Sequence, residues 1–246
     1  MRTSEIVLVL TVFGASLVEM VEALTLVLAS GTTRGWRSAI EGTVAALAVL
    51  GALVIFVGVP LIHYVPIDAL RVTVGALLLV LGMSWLRKAW LRSSGLKALH
   101  DEDKIYAETV AELKAAPAPV SGRDPVGFAM AFKGVFLEGT EVVLIVISLG
   151  ASSRRLGMAS LAALAAVVLV TVVGLVVARQ LSSVPENLIK SIVGVMVTSF
   201  GIFWGGEGAG LHWPGSDLAI LGLVAFFGLC TAVAPRFLRE PETAAT

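Results

Sequence analysis

Four glutamates, set in two matched pairs, are the residues of this chain whose types and spacing could do chemistry. Glu19 and Glu22 lie in GASLVEMVEALTLVLASG, residues 14–31, and Glu138 and Glu141 lie in MAFKGVFLEGTEVVLIVISLG, residues 130–150. Each pair is three residues apart, and the pairs are separated by 119 residues on both counts (138 − 19 and 141 − 22). Three residues on a helix turn through about 300°, so each pair forms a two-carboxylate patch on one face. An ionised acid at the centre of a membrane helix costs about 2.5–3.5 kcal/mol, and four left uncompensated would cost roughly 10 kcal/mol or more. Protons, the nearby Lys133 for one charge, or a hard cation that prefers oxygen ligands, such as calcium, manganese, magnesium or iron, would neutralise them. The cation makes the fullest use of the spacing. Thr25 and Thr140 add hydroxyls beside the pairs, although a threonine in a membrane helix commonly bonds its own backbone. The plainer alternative is that the glutamates stay protonated and bind helices together. Two pairs at matched positions favour a permeation or ion-binding site instead.

The elements that hold these acids are set by composition. With 57% hydrophobic and only 15% charged residues and a mean hydropathy of +0.92, the chain suits lipid rather than water. Near-uncharged runs reach the roughly 20 residues a helix needs to cross a bilayer. The spans are expected at about 5–29, 38–62, 66–87, 125–149, 157–178, 186–205 and 216–234. The first is expected to be retained rather than cleaved, because Glu19 and Glu22 interrupt the apolar core a signal peptide requires. Net charge is zero, which gives no reason to expect a nucleic-acid partner, and the single Cys230 excludes an intrachain disulfide or a cysteine metal cluster.

The two halves match without gaps at a shift of 119. Val65-Pro66 falls on Val184-Pro185, Arg71 on Lys190, and Gly75, Gly82 and Trp85 on Gly194, Gly201 and Trp204. Each unit holds three spans, and an odd unit followed by a linker that stays on one side inserts upside down the second time. The fold expected is an all-α polytopic membrane protein with seven transmembrane helices: an inverted 3+3 repeat plus one extra C-terminal helix. Residues 1–90 form the first repeat, 91–124 a cytoplasmic linker, 125–205 the second repeat, and 206–246 an outer loop, the seventh span and a tail. Lys and Arg crowd the side holding the linker, and only Arg2, Arg71, Arg154 and Arg155 fall on the other. The N-terminus is therefore expected outside and the C-terminus in the cytoplasm, in a plasma or inner membrane.

Other polar groups receive structural expectations. Asp101, Glu102 and Asp103 beside His100 read as a solvated helix start, and Ile105, Val110 and Leu113 as one side of a short surface helix. Glu41 is expected to pair with Arg37. Glu207, His212 and Asp217 fall in a glycine-rich outer loop, and Trp85 and Trp90 fit an interfacial belt. No phosphate loop, histidine-rich zinc motif or Ser/His/Asp arrangement is present, so an enzyme is not expected and no permanently bound cofactor is required.

Paired Glu-x-x-Glu acids in spans one and four of a seven-span, N-out plan resemble the oxidase-dependent iron permease family, whose signature is Arg-Glu-Gly-x-Glu. Here the second copy is Leu137-Glu138-Gly139-Thr140-Glu141 and the first Val18-Glu19-Met20-Val21-Glu22; both lack the arginine, and the first also lacks the glycine. The resemblance implies that Glu19, Glu22, Glu138 and Glu141 coordinate or relay iron, passed inward after oxidation by an oxidase or another periplasmic partner. Lys133, one turn before Leu137, would then stand in part for the missing arginine. The three-plus-three plan is also similar to the LysE-like superfamily of amino-acid and manganese/calcium exporters, whose Glu-x-Gly-Asp-Lys-Thr motif is missing here. The expected function is a metal-cation transporter of the iron-permease type, carrying iron, manganese or calcium as the repeats rock about four midplane glutamates. A LysE-type exporter and a non-transporting membrane scaffold stand as alternatives.

Overall fold

A computed structural model describes residues 3–117, 123–176 and 186–238, and these are helical with short connections and no strand among them. In chain order the helices are α1 (Thr3–Arg34), α2 (Trp36–Leu53), α3 (Val59–Tyr64), α4 (Ile67–Ser93), α5 (Glu102–Ala115), α6 (Pro125–Ser152), α7 (Leu156–Val176), α8 (Glu186–Gly208) and α9 (Leu218–Leu238). Seven spans among the described residues are long and apolar enough to cross a membrane: α1, α2 continuing through α3, α4, α6, α7, α8 and α9. The expected equivalence of Val184-Pro185, the end of the fifth span beyond 176 and linker residues 118–122 lie outside the described residues.

Several helices run past their expected ends because polar residues continue the hydrogen-bonded ladder after the apolar run stops. α1 ends only at Gly35, whose φ of 107° is open to glycine and strained for other residues. Between α2 and α3 the ladder widens into a π turn, Val54–Gly58. Pro60 accounts for it: proline has no N–H to donate and its ring crowds the carbonyl four residues back, that of Phe56, so the helix loosens there without breaking.

The helices gather into two compact units. One contains α1 up to Thr11 with α4, α8 and α9; the other contains the rest of α1 with α2, α3, α5, α6 and α7. Each unit draws equivalent spans from both 119-shifted halves. In the first unit α4 and α8 cross at backbone distance. A Cβ on Gly75 would sit 2.5 Å from Gly205 Cα, and one on Gly201 would sit 2.7 Å from Leu79 N. A Cβ on Gly82 would strike Thr198, and 82 with 198 is the 119-shifted counterpart of 201 with 79. Gly82→Ala is therefore expected to destabilise by about 1–3 kcal/mol, the usual cost of overpacking, because the obstacle is backbone that cannot swing aside. Thermal unfolding of the detergent-solubilised protein measures it, and Gly222→Ala, where an added Cβ meets nothing, serves as the control.

Trp85 is buried where α4 packs on α8 (2% exposed), with Lys190 Nζ 5.9 Å from its ring centroid, and α4 continues two turns beyond it. Glu207 is likewise helical, at the end of α8, where it pairs with Arg71 (3.2 Å). Asp217 accepts a hydrogen bond from Ser4 (2.7 Å), while His212 is exposed.

Candidate functional site

The second unit holds all four predicted glutamates. Glu19 lies about midway along α1, some 22 Å from Arg34 at 1.5 Å per residue, and Glu138 lies about midway along α6. The two helices run antiparallel in close contact. A Cβ on Gly127 would meet Arg34 Cβ at 2.9 Å, and one on Gly134 would meet Leu26 Cδ1 at 2.7 Å, so partners descend α1 as they ascend α6. One further turn brings Glu138 opposite Glu22. Small residues at the crossing let the backbones approach, and that approach brings the acids together.

Carboxylate oxygens of Glu19, Glu22 and Glu138 lie within 4.8 Å of one another. Glu19 is fully buried, while Glu22 and Glu138 are half-buried. Three ionised groups so placed would repel by about 3 kcal/mol per pair at an effective dielectric of about 20, so the cluster gains from a cation or protons. Opposed oxygens on a calcium-sized ion stand about 5 Å apart, twice a bond of roughly 2.3–2.6 Å, so the cluster matches the span of one ion. Glu141, also half-buried, is outside this cluster. As the 119-shifted counterpart of Glu22, it stands one turn along α6 towards Ser152, where Glu22 stands one turn along α1 towards Arg34.

The second-tier residues have plainer settings. Thr25 donates to Val21 O (3.1 Å) and Thr140 to Phe136 O (2.6 Å), the backbone bonds usual for membrane helices. Lys133 is exposed, as is Leu137 one turn on, and a five-residue offset turns Lys133 about 140° away from Glu138. Lys133→Gln is accordingly expected to change metal affinity less than about twofold by titration, whereas a loss beyond tenfold would put the ammonium at the site.

Two contributors escape the sequence reading. Glu102, expected on a solvated helix start, is 8% exposed, and one of its carboxylate oxygens lies within 4.8 Å of one from Glu22. Asp101 does cap α5, accepting from Lys104 N (3.1 Å), and leaves Glu102 on the packed side with Thr109 and Leu113. α5 is a surface helix, as expected, with one side packed on this unit and the other exposed, and the Tyr106 and Thr32 hydroxyls meet at 3.0 Å. The available signal was the helical spacing of Glu102 with Ile105, Thr109 and Leu113. Ser16, one turn before Glu19 on the same face, is fully buried and its hydroxyl has no hydrogen-bond partner among the described residues. It is a neutral oxygen on the helix face that carries Glu19.

A polar knot fixes the α1–α6 register at the end near Arg34. Arg34 Nε lies 2.6 Å from Asp124 Oδ2, with both side chains under 10% exposed. Asp124 Oδ1 accepts from Val126 N (2.9 Å) and Gly127 N (3.1 Å), capping α6, while its own N–H donates to Ser38 Oγ (2.9 Å). Ser30 Oγ donates to Gly127 O (2.7 Å), and Arg34 also reaches the carbonyls of Leu113 (3.4 Å) and Ala116 (3.3 Å) at the end of α5. Glu41 pairs with Arg37 (3.2 Å), as expected, and with Arg123 (3.3 Å). Comparison with protein families, characterised proteins and solved structures finds no match, so the site is described by its geometry alone.

Proposed function

We propose that this membrane-spanning chain is a carrier for a hard metal cation, bound where α1 and α6 cross. The observation that carries the reading is the meeting of Glu19, Glu22 and Glu138 near the middle of two antiparallel apolar helices. An all-oxygen, multiply anionic site selects iron, manganese or calcium over copper(I), which seeks thiolate and thioether ligands. Iron is the first choice on the resemblance to iron permeases. Glu102 extends the acids from Glu22 towards α5, and Glu141 extends them towards the opposite end of α6, so the five carboxylates form a file along which a cation moves. The paired Gly82–Thr198 and Gly201–Leu79 approaches support an inverted repeat, and the distribution of Lys and Arg supports an outer N-terminus.

Thermal unfolding of the purified chain with ferrous, ferric, manganese and calcium ions tests the proposal. At about 100 times Kd, a bound ion adds about 2.7 kcal/mol, which corresponds to a shift of roughly 5–10 °C for a chain of this length. No shift with any of the four ions would overturn the metal assignment.

A further inference from the structure

The turn joining α6 to α7 places an arginine where a glycine is expected. Arg155 N–H donates to Gly150 O (2.7 Å) and Arg154 N–H to Ala151 O (3.0 Å), which closes α6 in a Schellman motif. Arg154 occupies its left-handed position with φ 54°, a conformation that side chains other than glycine adopt at a cost. Facing it is the second irregularity of this unit, the π turn at Val54–Gly58. Both border one cavity of about 460 Å³, walled by Ile55, Val59 and Leu156 and carrying the polar groups of His63, Arg154 and Ser160.

The distribution of those groups narrows the chemistry of a ligand. His63 is one residue from the end of α3 and Arg154 lies in the interhelical turn, so the polar part of the cavity is at the depth where a span ends. Ile55 is eight residues deeper, about 12 Å along the helix, and both Ile55 (59%) and Val59 (41%) are exposed on an apolar flank. A free hydrated anion gains nothing from that flank, and a zwitterionic lipid, whose own ammonium offsets its phosphate, gains less from Arg154 than an anionic one. A phospholipid with an anionic headgroup uses both.

We propose that this cavity holds one anionic phospholipid, its phosphate on Arg154 with His63 and Ser160 as hydrogen-bond donors, and an acyl chain along Val59 and Ile55. The inference is independent of the cation site, whose carboxylates lie near the middle of the spans.

Native mass spectrometry of the full chain with added phosphatidylglycerol or phosphatidylcholine tests it. Wild-type protein is expected to retain phosphatidylglycerol preferentially, Arg154→Gly to retain it about fivefold less, and Arg154→Lys to stay close to wild type. Because glycine suits the left-handed position, Arg154→Gly is expected to keep or raise the lipid-free melting temperature, and its metal-dependent shift should be unchanged. Undiminished phosphatidylglycerol retention in Arg154→Gly, or equal retention of phosphatidylcholine by wild type, would overturn the proposal. So would stabilisation by glycerol 3-phosphate equal to that by the lipid, which would identify a free-anion site.

Discussion

Glu19→Gln is expected to lower metal affinity by at least about 100-fold, beyond the 10–100-fold typical when a group supporting a metal ligand is removed. Glu19 is the fully buried member of the cluster and shares it with both Glu22 and Glu138, so its loss leaves no three-carboxylate site. The same substitution has the opposite effect on the metal-free protein. Removing one carboxylate relieves crowding, and the glutamine keeps nearly the same volume, so the metal-free melting temperature is expected to hold or rise. Loss of the metal-dependent shift with retained intrinsic stability separates a ligand from a structural acid. If Glu19 merely joined helices by hydrogen bonds, the metal-free protein would lose stability instead.

Asp124→Ala is expected to cost about 3–5 kcal/mol, because it strands the buried guanidinium of Arg34 and also removes the cap of α6, itself worth about 1 kcal/mol. Asp124→Asn should cost less, since an amide oxygen still caps Val126 and Gly127. Arg34→Ala should approach the cost of Asp124→Ala by leaving the carboxylate buried and uncompensated, and the double substitution should cost clearly less than the sum of the two singles. Denaturant or thermal unfolding in detergent reads these values. Strict additivity would mean that the two charges do not interact in the folded protein.

The spans were legible because hydropathy over about 20 residues leaves few alternatives, and the glutamate pairs because acids are conspicuous in such runs. Their partial convergence was less accessible. The 119-residue shift makes Glu22 and Glu141 equivalent, yet the compact cluster contains Glu22 and not Glu141, a distinction that depends on side-chain placement at the crossing. The burial of Trp85 was not legible either, because it depends on how closely α8 crosses α4 and not on the position of Trp85 along the chain. Glu102 was missed for a related reason: a charged helix start normally faces water, and only the packing of α5 along α1 reverses this. The π turn has a local cause in Pro60, but a proline in an apolar run signals a disturbance without specifying its form.

The most direct test of the account is metal flux into proteoliposomes containing the full chain, with ferrous, ferric, manganese and calcium ions supplied in turn. Saturable, ion-selective uptake by wild-type protein is expected, with flux falling to that of protein-free liposomes when Glu19, Glu22, Glu138 and Glu141 are all changed to glutamine. Uptake by the correctly folded quadruple variant equal to wild type would contradict the assignment of the four glutamates to the cation path.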